Sequence, residues 1–162
     1  MIKILVSACL LGQRVRYNGS DLKVSSIEFK QLLARVSGVP FCPETAAGMN
    51  TPRPPAEIIN GTGSDVLAEQ AQVLTSSGQD VTRYFVAGAT RALACCSQHR
   101  IQLAILVESS PSCGSQLIYN GRFDGTKIPG HGVTTALLRS NGIPVFSQHQ
   151  VAEAIEMIDQ LK

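Results

Sequence analysis

Met1-Ile2-Lys3-Ile4-Leu5-Val6-Ser7-Ala8-Cys9 opens the chain, and its reading decides the fold. Residues 2–7 form an almost unbroken apolar run, too short for a membrane span or a signal-peptide core. A run of this kind marks a strand buried on both faces. Residues 103–107 repeat the pattern, and shorter strands are expected at 39–42 and 144–146, each preceded by a turn containing Gly38 or Gly142. Between and after them, residues 26–36, 81–97, 133–140 and 151–161 carry apolar side chains at helical spacing. Asp80 and Gln148 precede two of these helices, and Asp80 is the strong capping type. Strands alternating with helices in this order predict an α/β fold: one Rossmann-like domain spanning 1–162, its mostly parallel sheet flanked by helices on both faces.

The segment 51–78 breaks this rhythm. Pro52, Pro54 and Pro55 forbid helix at its start. A small hairpin is expected further on, with strands at 57–60 and 66–68 around Gly61-Thr62-Gly63-Ser64. Composition narrows the function classes. The 162 residues are 44% hydrophobic and 16% charged, which fits one folded domain. A net charge of +2 with scattered Lys and Arg favours neither nucleic acid nor an anionic membrane as a partner. With no targeting segment in view, a cytoplasmic location is expected. There, five cysteines, an odd number, would stay reduced rather than form a disulfide framework.

In open parallel sheets, ligands bind beyond the carboxyl ends of the strands. Cys9 follows the first expected strand, Cys42 ends the second and Cys113 follows the third. Three thiols distant in sequence therefore fall at one end of one sheet. Thiolates are preferred ligands of zinc and of iron–sulfur clusters. Spacing alone leaves open a cubane with one free iron, or a Cys₃His zinc site using His131. Cys95 and Cys96, adjacent within an apolar helix, read as packing residues. Near the three turns stand Glu44, a candidate general base, and Ser110 and Ser112, which suit either hydrogen bonding to a ligand or turn formation. Arg53, on the proline-rich arm, would bind a substrate group or pair with Glu57. Arg16 and Tyr17 lie just past the first strand, and residues 118–125 read as a lid over the crevice or a plain surface hairpin. Neither a Gly-x-Gly-x-x-Gly turn nor a phosphate loop is present.

Several motifs carry a resemblance. Ser7-Ala8-Cys9-Leu10-Leu11-Gly12, Cys42-Pro43-Glu44 and Thr51-Pro52-Arg53-Pro54-Pro55-Ala56-Glu57, followed by Ser110-Pro111-Ser112-Cys113-Gly114 and Gly132-Val133-Thr134, span nearly the whole chain. Together they resemble a bacterial family formerly of unknown function whose characterised members are iron–sulfur-dependent 2-thiouracil desulfidases. The resemblance implies a 4Fe–4S cluster held by residues matching Cys9, Cys42 and Cys113, with an open iron for the substrate's sulfur. It implies non-redox desulfuration of a small thiolated nucleobase of the 2- or 4-thiouracil type. Glu44 and Ser110 match positions handling water and protons, Arg53 and Ser112 are assigned to substrate binding, and His131 matches no motif and is set aside as a ligand. Two other functions compete: a metal-binding protein that senses or carries sulfur, and a sulfurtransferase forming a persulfide on Cys113.

Overall fold

The structure, a computed structural model, describes residues 1–162. The chain runs β1 (Lys3–Ser7), a 3₁₀ turn (Ala8–Leu11), α1 (Ile27–Arg35), β2 (Ser37–Phe41), α2 (Pro43–Ala46), β3 (Ala56–Ile59), α3 (Gly63–Leu67) and β4 (Gln72–Thr75). It continues through α4 (Thr82–His99), β5 (Leu103–Ile105), β6 (Leu117–Tyr119), β7 (Lys127–Pro129), α5 (Val133–Ser140), β8 (Val145–Phe146) and α6 (Val151–Gln160).

The main sheet has the order β2-β1-β5-β8, and every pairing in it is parallel. The alternation of β1 explains why both faces are covered. Ile4 and Val6 pack with Phe29 and Leu32 of α1 and with Ala154 and Ile158 of α6. Leu5 faces the other way, with Ala92 and Cys96 of α4 and Leu138 of α5. The expected α/β architecture with helices on both faces is what the chain adopts. Ser26 starts α1 by accepting the Phe29 N–H on its hydroxyl at 3.2 Å. Asp80, one residue before the cap position Val81 of α4, takes the Thr82 N–H at 2.9 Å. The Gln148 amide instead reaches across to accept the Glu108 N–H.

The expected hairpin of 57–60 with 66–68 is not formed. Residues 63–67 are α3, and β3 pairs antiparallel with β4, Ile58 opposite Val73. The glycines at 61 and 63 suggested a turn, but Asp65 decides the local structure. Its carboxylate accepts the Thr62 N–H at 2.8 Å, half of a capping box that starts a helix. The strand partner must then come from the next β-branched run, and Val73 there is fully buried. This small sheet and Phe85 of α4 enclose a third apolar cluster. Strands β6 and β7 form the hairpin foreseen around residues 118–125.

No helix is long and apolar enough to cross a membrane.

Candidate functional site

The sheet order reverses between β1 and β5, since the chain passes from β1 to β2 on one side and returns to β5 on the other. A crevice opens at such a switch point. Here the Ser7 hydroxyl spans it, accepting the Val107 N–H at 2.9 Å. Beyond it lies a cavity of about 680 Å³ lined by Cys9, Cys42 and Cys113, by Glu44 and Ser110, and by Arg53. The three predicted thiols are thus brought together from the ends of three parallel strands.

Each thiol is held by a turn that its neighbours fix. Cys9 sits in the 3₁₀ turn after β1, 5% exposed, and its carbonyl accepts the Gly12 and Leu22 N–H groups. Cys42 immediately precedes α2, whose Pro43 occupies the first helical position, where no N–H is needed. Helix α4 presses on this turn through Gly88, where an added Cβ would lie 2.4 Å from the Pro43 carbonyl oxygen. Cys113, 3% exposed, closes a tight turn in which the Ser110 hydroxyl oxygen accepts the Ser112 and Cys113 N–H groups at 3.1 and 3.0 Å. Gly132 lets α5 approach that turn, since a Cβ there would meet the Ser112 carbonyl carbon at 2.4 Å.

The thiols sense one another. Burial, then the neighbouring Cys42, push Cys9 up to about 11, while Arg16 pulls the other way. Burial also holds Cys113 well above the ordinary thiol value, helped by Cys42, Glu44 and Cys9 and opposed by a hydrogen bond from Ser7. No three His, Cys, Asp or Glu side chains stand close enough together to hold a single metal ion. Thiolates on one zinc would sit about 3.8 Å apart, from a Zn–S bond of about 2.3 Å in a tetrahedron. Three thiols that line one cavity suit a polynuclear centre, in which each sulfur binds a different metal atom. The donor set and the room fit an iron–sulfur cluster. His131 lies outside the cavity, its ring nitrogen 2.8 Å from the Ser64 hydroxyl.

Burial raises the Glu44 carboxyl above its ordinary value, and Arg53 pulls it down. The Arg53 side chain, 4% exposed, is almost fully committed within the protein. Its Nε donates to Glu44 at 3.3 Å, one terminal nitrogen to the Asn50 carbonyl and the Thr51 hydroxyl, and the other to the Val15 carbonyl at 2.9 Å. Of the two expectations for Arg53, the pair with Glu57 is not formed: its partner is Glu44, and while lining the cavity it ties the 12–20 loop to the Cys42 turn. Glu57 instead accepts the Gly121 and Phe123 N–H groups. Ser112, expected against the substrate, does not line the cavity; it is fully buried beside α5, its hydroxyl without a hydrogen-bond partner. Ser110 does line it, and after accepting two N–H groups its own O–H remains free to donate.

Sequence reasoning gave no role to Ser7 at the switch point or to Lys127 on the wall, whereas Tyr119 and Phe123, also on the wall, fall in the 118–125 segment read as a lid or a plain surface hairpin. Ser7 carried a signal, a lone hydroxyl ending an apolar strand. The wall residues carried none beyond lying in a hairpin.

Fold and family class define an α/β enzyme, and this one carries a thiol-lined cavity at the sheet's switch point. The sequence pattern of the 2-thiouracil desulfurase family matches residues 4–150, and the chain belongs to that family. It is 47% identical over 152 residues to YbbK of Bacillus subtilis (strain 168), described as an uncharacterized protein, covering 94% of this chain and 99% of the relative. It is also 47% identical to the structure of the 4Fe–4S-dependent thiouracil desulfidase TudS, with a TM-score of 0.88 and 99% of each chain covered.

Proposed function

We propose that this protein removes sulfur from thiolated pyrimidine bases by hydrolysis, using a 4Fe–4S cluster held by Cys9, Cys42 and Cys113. The observation that carries the reading is the meeting of three thiols from three strand ends in one cavity beside Glu44 and Ser110. Membership of the family and the likeness to TudS support the same reaction. When bound, such a cluster with one iron free of cysteine supplies a Lewis acid for the thione sulfur.

The chain's own residues do the rest. Glu44 lines the cavity beside the thiols and accepts a proton from the attacking water. Arg53 fixes that carboxylate in place. Ser110 donates its free O–H toward the ring as charge develops there. The carbon–sulfur double bond is replaced by carbon–oxygen, water supplies the oxygen, and sulfide leaves with no net change of oxidation state. Persulfide chemistry on Cys113 is disfavoured by its burial, because a thiol held protonated and shielded is a poor nucleophile. The substrate class follows as a free small molecule, and the cytoplasm as its location, where the thiols stay reduced.

The test is anaerobic. Protein reconstituted with iron and sulfide is expected to be brown, to bind about four irons per chain, and to bleach the thione absorbance of 4-thiouracil. Cys9→Ser, Cys42→Ser and Cys113→Ser should each lose colour and turnover, while Cys95→Ser keeps both. A full cluster without turnover of any thiolated base would leave only the sulfur-carrier reading. Iron retained in all three ligand variants would refute the ligand set.

A further inference from the structure

Four of the eight large hydrophobic side chains that remain exposed, Tyr17, Leu22, Leu117 and Phe123, line the one cavity. Among them Phe123 is singular. Its backbone has φ of 55°, and it is the only apolar residue of the chain in the left-handed region apart from glycines. A bulky side chain at that conformation is a true outlier, and such strain persists only where the surroundings enforce it. The ring does not offset the cost by packing: it is 37% exposed and belongs to none of the three apolar clusters.

The enforcing group is Glu57. Its carboxylate, on β3 and itself 8% exposed, accepts the Gly121 N–H at 2.9 Å and the Phe123 N–H at 3.2 Å through one oxygen. Gly121 permits this approach, since a Cβ there would stand 2.6 Å from the Ile58 carbonyl oxygen. On the other side, Asn120 accepts the Arg122 N–H and Asp124 accepts the Thr126 N–H, each at 2.9 Å. The loop is therefore knitted from both flanks so that an aromatic ring faces the cavity at a conformation glycine would adopt freely. A loop serving only as a turn gains nothing from phenylalanine there. A flat, weakly solvated ligand ring does.

We propose that Phe123 is a substrate-contacting residue whose ring forms the wall against which the substrate's planar heterocycle lies, and that Glu57 is the positioning residue holding it there. The identity of the heterocycle rests on the desulfidase reading. Three variants separate binding from stability. Phe123→Gly removes the ring and relieves the strained φ, so the KM for 4-thiouracil should rise about tenfold, the scale of a lost base–aromatic stack, with a far smaller fall in kcat. Its melting temperature should hold or rise. Glu57→Ala should raise KM similarly, and Glu57→Gln, which keeps an acceptor oxygen, should recover most of the loss. An unmoved KM in Phe123→Gly, or a melting temperature several degrees lower, would overturn the proposal.

The chain contains no tryptophan, so Phe123→Trp places a sole indole on the wall. Its emission should be quenched saturably as 4-thiouracil is added to the reconstituted protein, and absence of quenching would refute the contact. This titration needs no turnover. If the wild type failed to desulfurate any base, the functional reading would fall while saturable quenching would still support Phe123 as the ligand's wall.

Discussion

Arg53→Met tests whether the cavity floor is built around the Arg53–Glu44 pair. The methionine keeps the apolar stem and deletes the guanidinium, which makes four hydrogen bonds inside the protein. Three of the orphaned acceptors, on Val15, Asn50 and Thr51, are neutral; Val15 lines the cavity and Asn50 and Thr51 are exposed, so water can reach all three. The fourth, Glu44, is left as a carboxylate without its cation, and removing one member of a buried pair costs about 3–5 kcal/mol. Glu44 keeps 17% of its side chain exposed, so the lower end applies, about 3 kcal/mol. For a chain of this length that is a fall in melting temperature of roughly 6–12 °C. Urea unfolding at neutral pH, followed by circular dichroism under anaerobic conditions, gives the free energy directly. The cycle with Glu44→Gln isolates the pair: with no charge to strand, Arg53→Met should cost about 1 kcal/mol there, leaving a coupling near 2 kcal/mol. A loss below 1 kcal/mol in the single variant, or a coupling under 0.5 kcal/mol, would refute the pairing as what fixes Glu44.

Other perturbations probe the remaining supports. Gly88→Ala forces a methyl against the Pro43 carbonyl and should cost about 1–3 kcal/mol; because it displaces the Cys42 turn, iron retained per chain should also fall, and full retention would contradict the close packing. Ser7→Ala strands the Val107 N–H at the switch point; a loss of about 1–3 kcal/mol in urea unfolding is expected, and a neutral result would mean water replaces the hydroxyl. Glu108 supplies a pH test. Burial pushes its carboxyl up, but N–H donors from Ser115, Ser109, Gln116 and Leu117 outweigh it and hold the group below its ordinary value. Its contribution is therefore complete above about pH 4.3, the unfolded carboxylate value, and disappears as pH falls through the lower folded value. Glu108→Gln should destabilise at pH 7 and converge with the wild type in acid; a constant difference across pH would count against the charge.

The parallel sheet was legible because β1 and β5 are buried on both faces, which leaves continuous apolar runs that no alternating surface strand would show. Cys9, Cys42 and Cys113 were legible for a related reason. Cys9 and Cys113 follow such runs and Cys42 ends the edge strand β2, so parallel topology sends all three to one end of the sheet. What failed was local and polar. The 57–68 hairpin was misread because two glycines outweighed Asp65, although a carboxylate three residues after a threonine is itself a helix-start signal. The pairing of Arg53 with Glu44 rather than Glu57 was not legible, because the partners of a guanidinium are set by tertiary approach: Val15 and Asn50 offer carbonyls, and a backbone acceptor leaves no mark in a sequence. Ser112 was misplaced for the opposite reason, since a residue beside a cavity-lining cysteine points away from it when α5 is drawn in by Gly132.

The site divides into a floor and a mouth with different physics. Its floor consists of turns clamped by helices at backbone contact, Gly88 on Pro43 and Gly132 on Ser112. The proposed ligand set needs this, because burial first, and then repulsion between neighbouring thiolates, shifts Cys9 and Cys113 upward. Only a scaffold that holds them before the cofactor arrives can keep them from turning away. The mouth, by contrast, is made of long side chains on hairpin and loop, Tyr17, Leu22, Leu117 and Phe123, which change a ligand's fit without moving a sulfur. Substitutions in the floor should therefore be read in iron content and those at the mouth in KM, and a variant of Leu22 or Leu117 that lost its iron would show that the two are mechanically one.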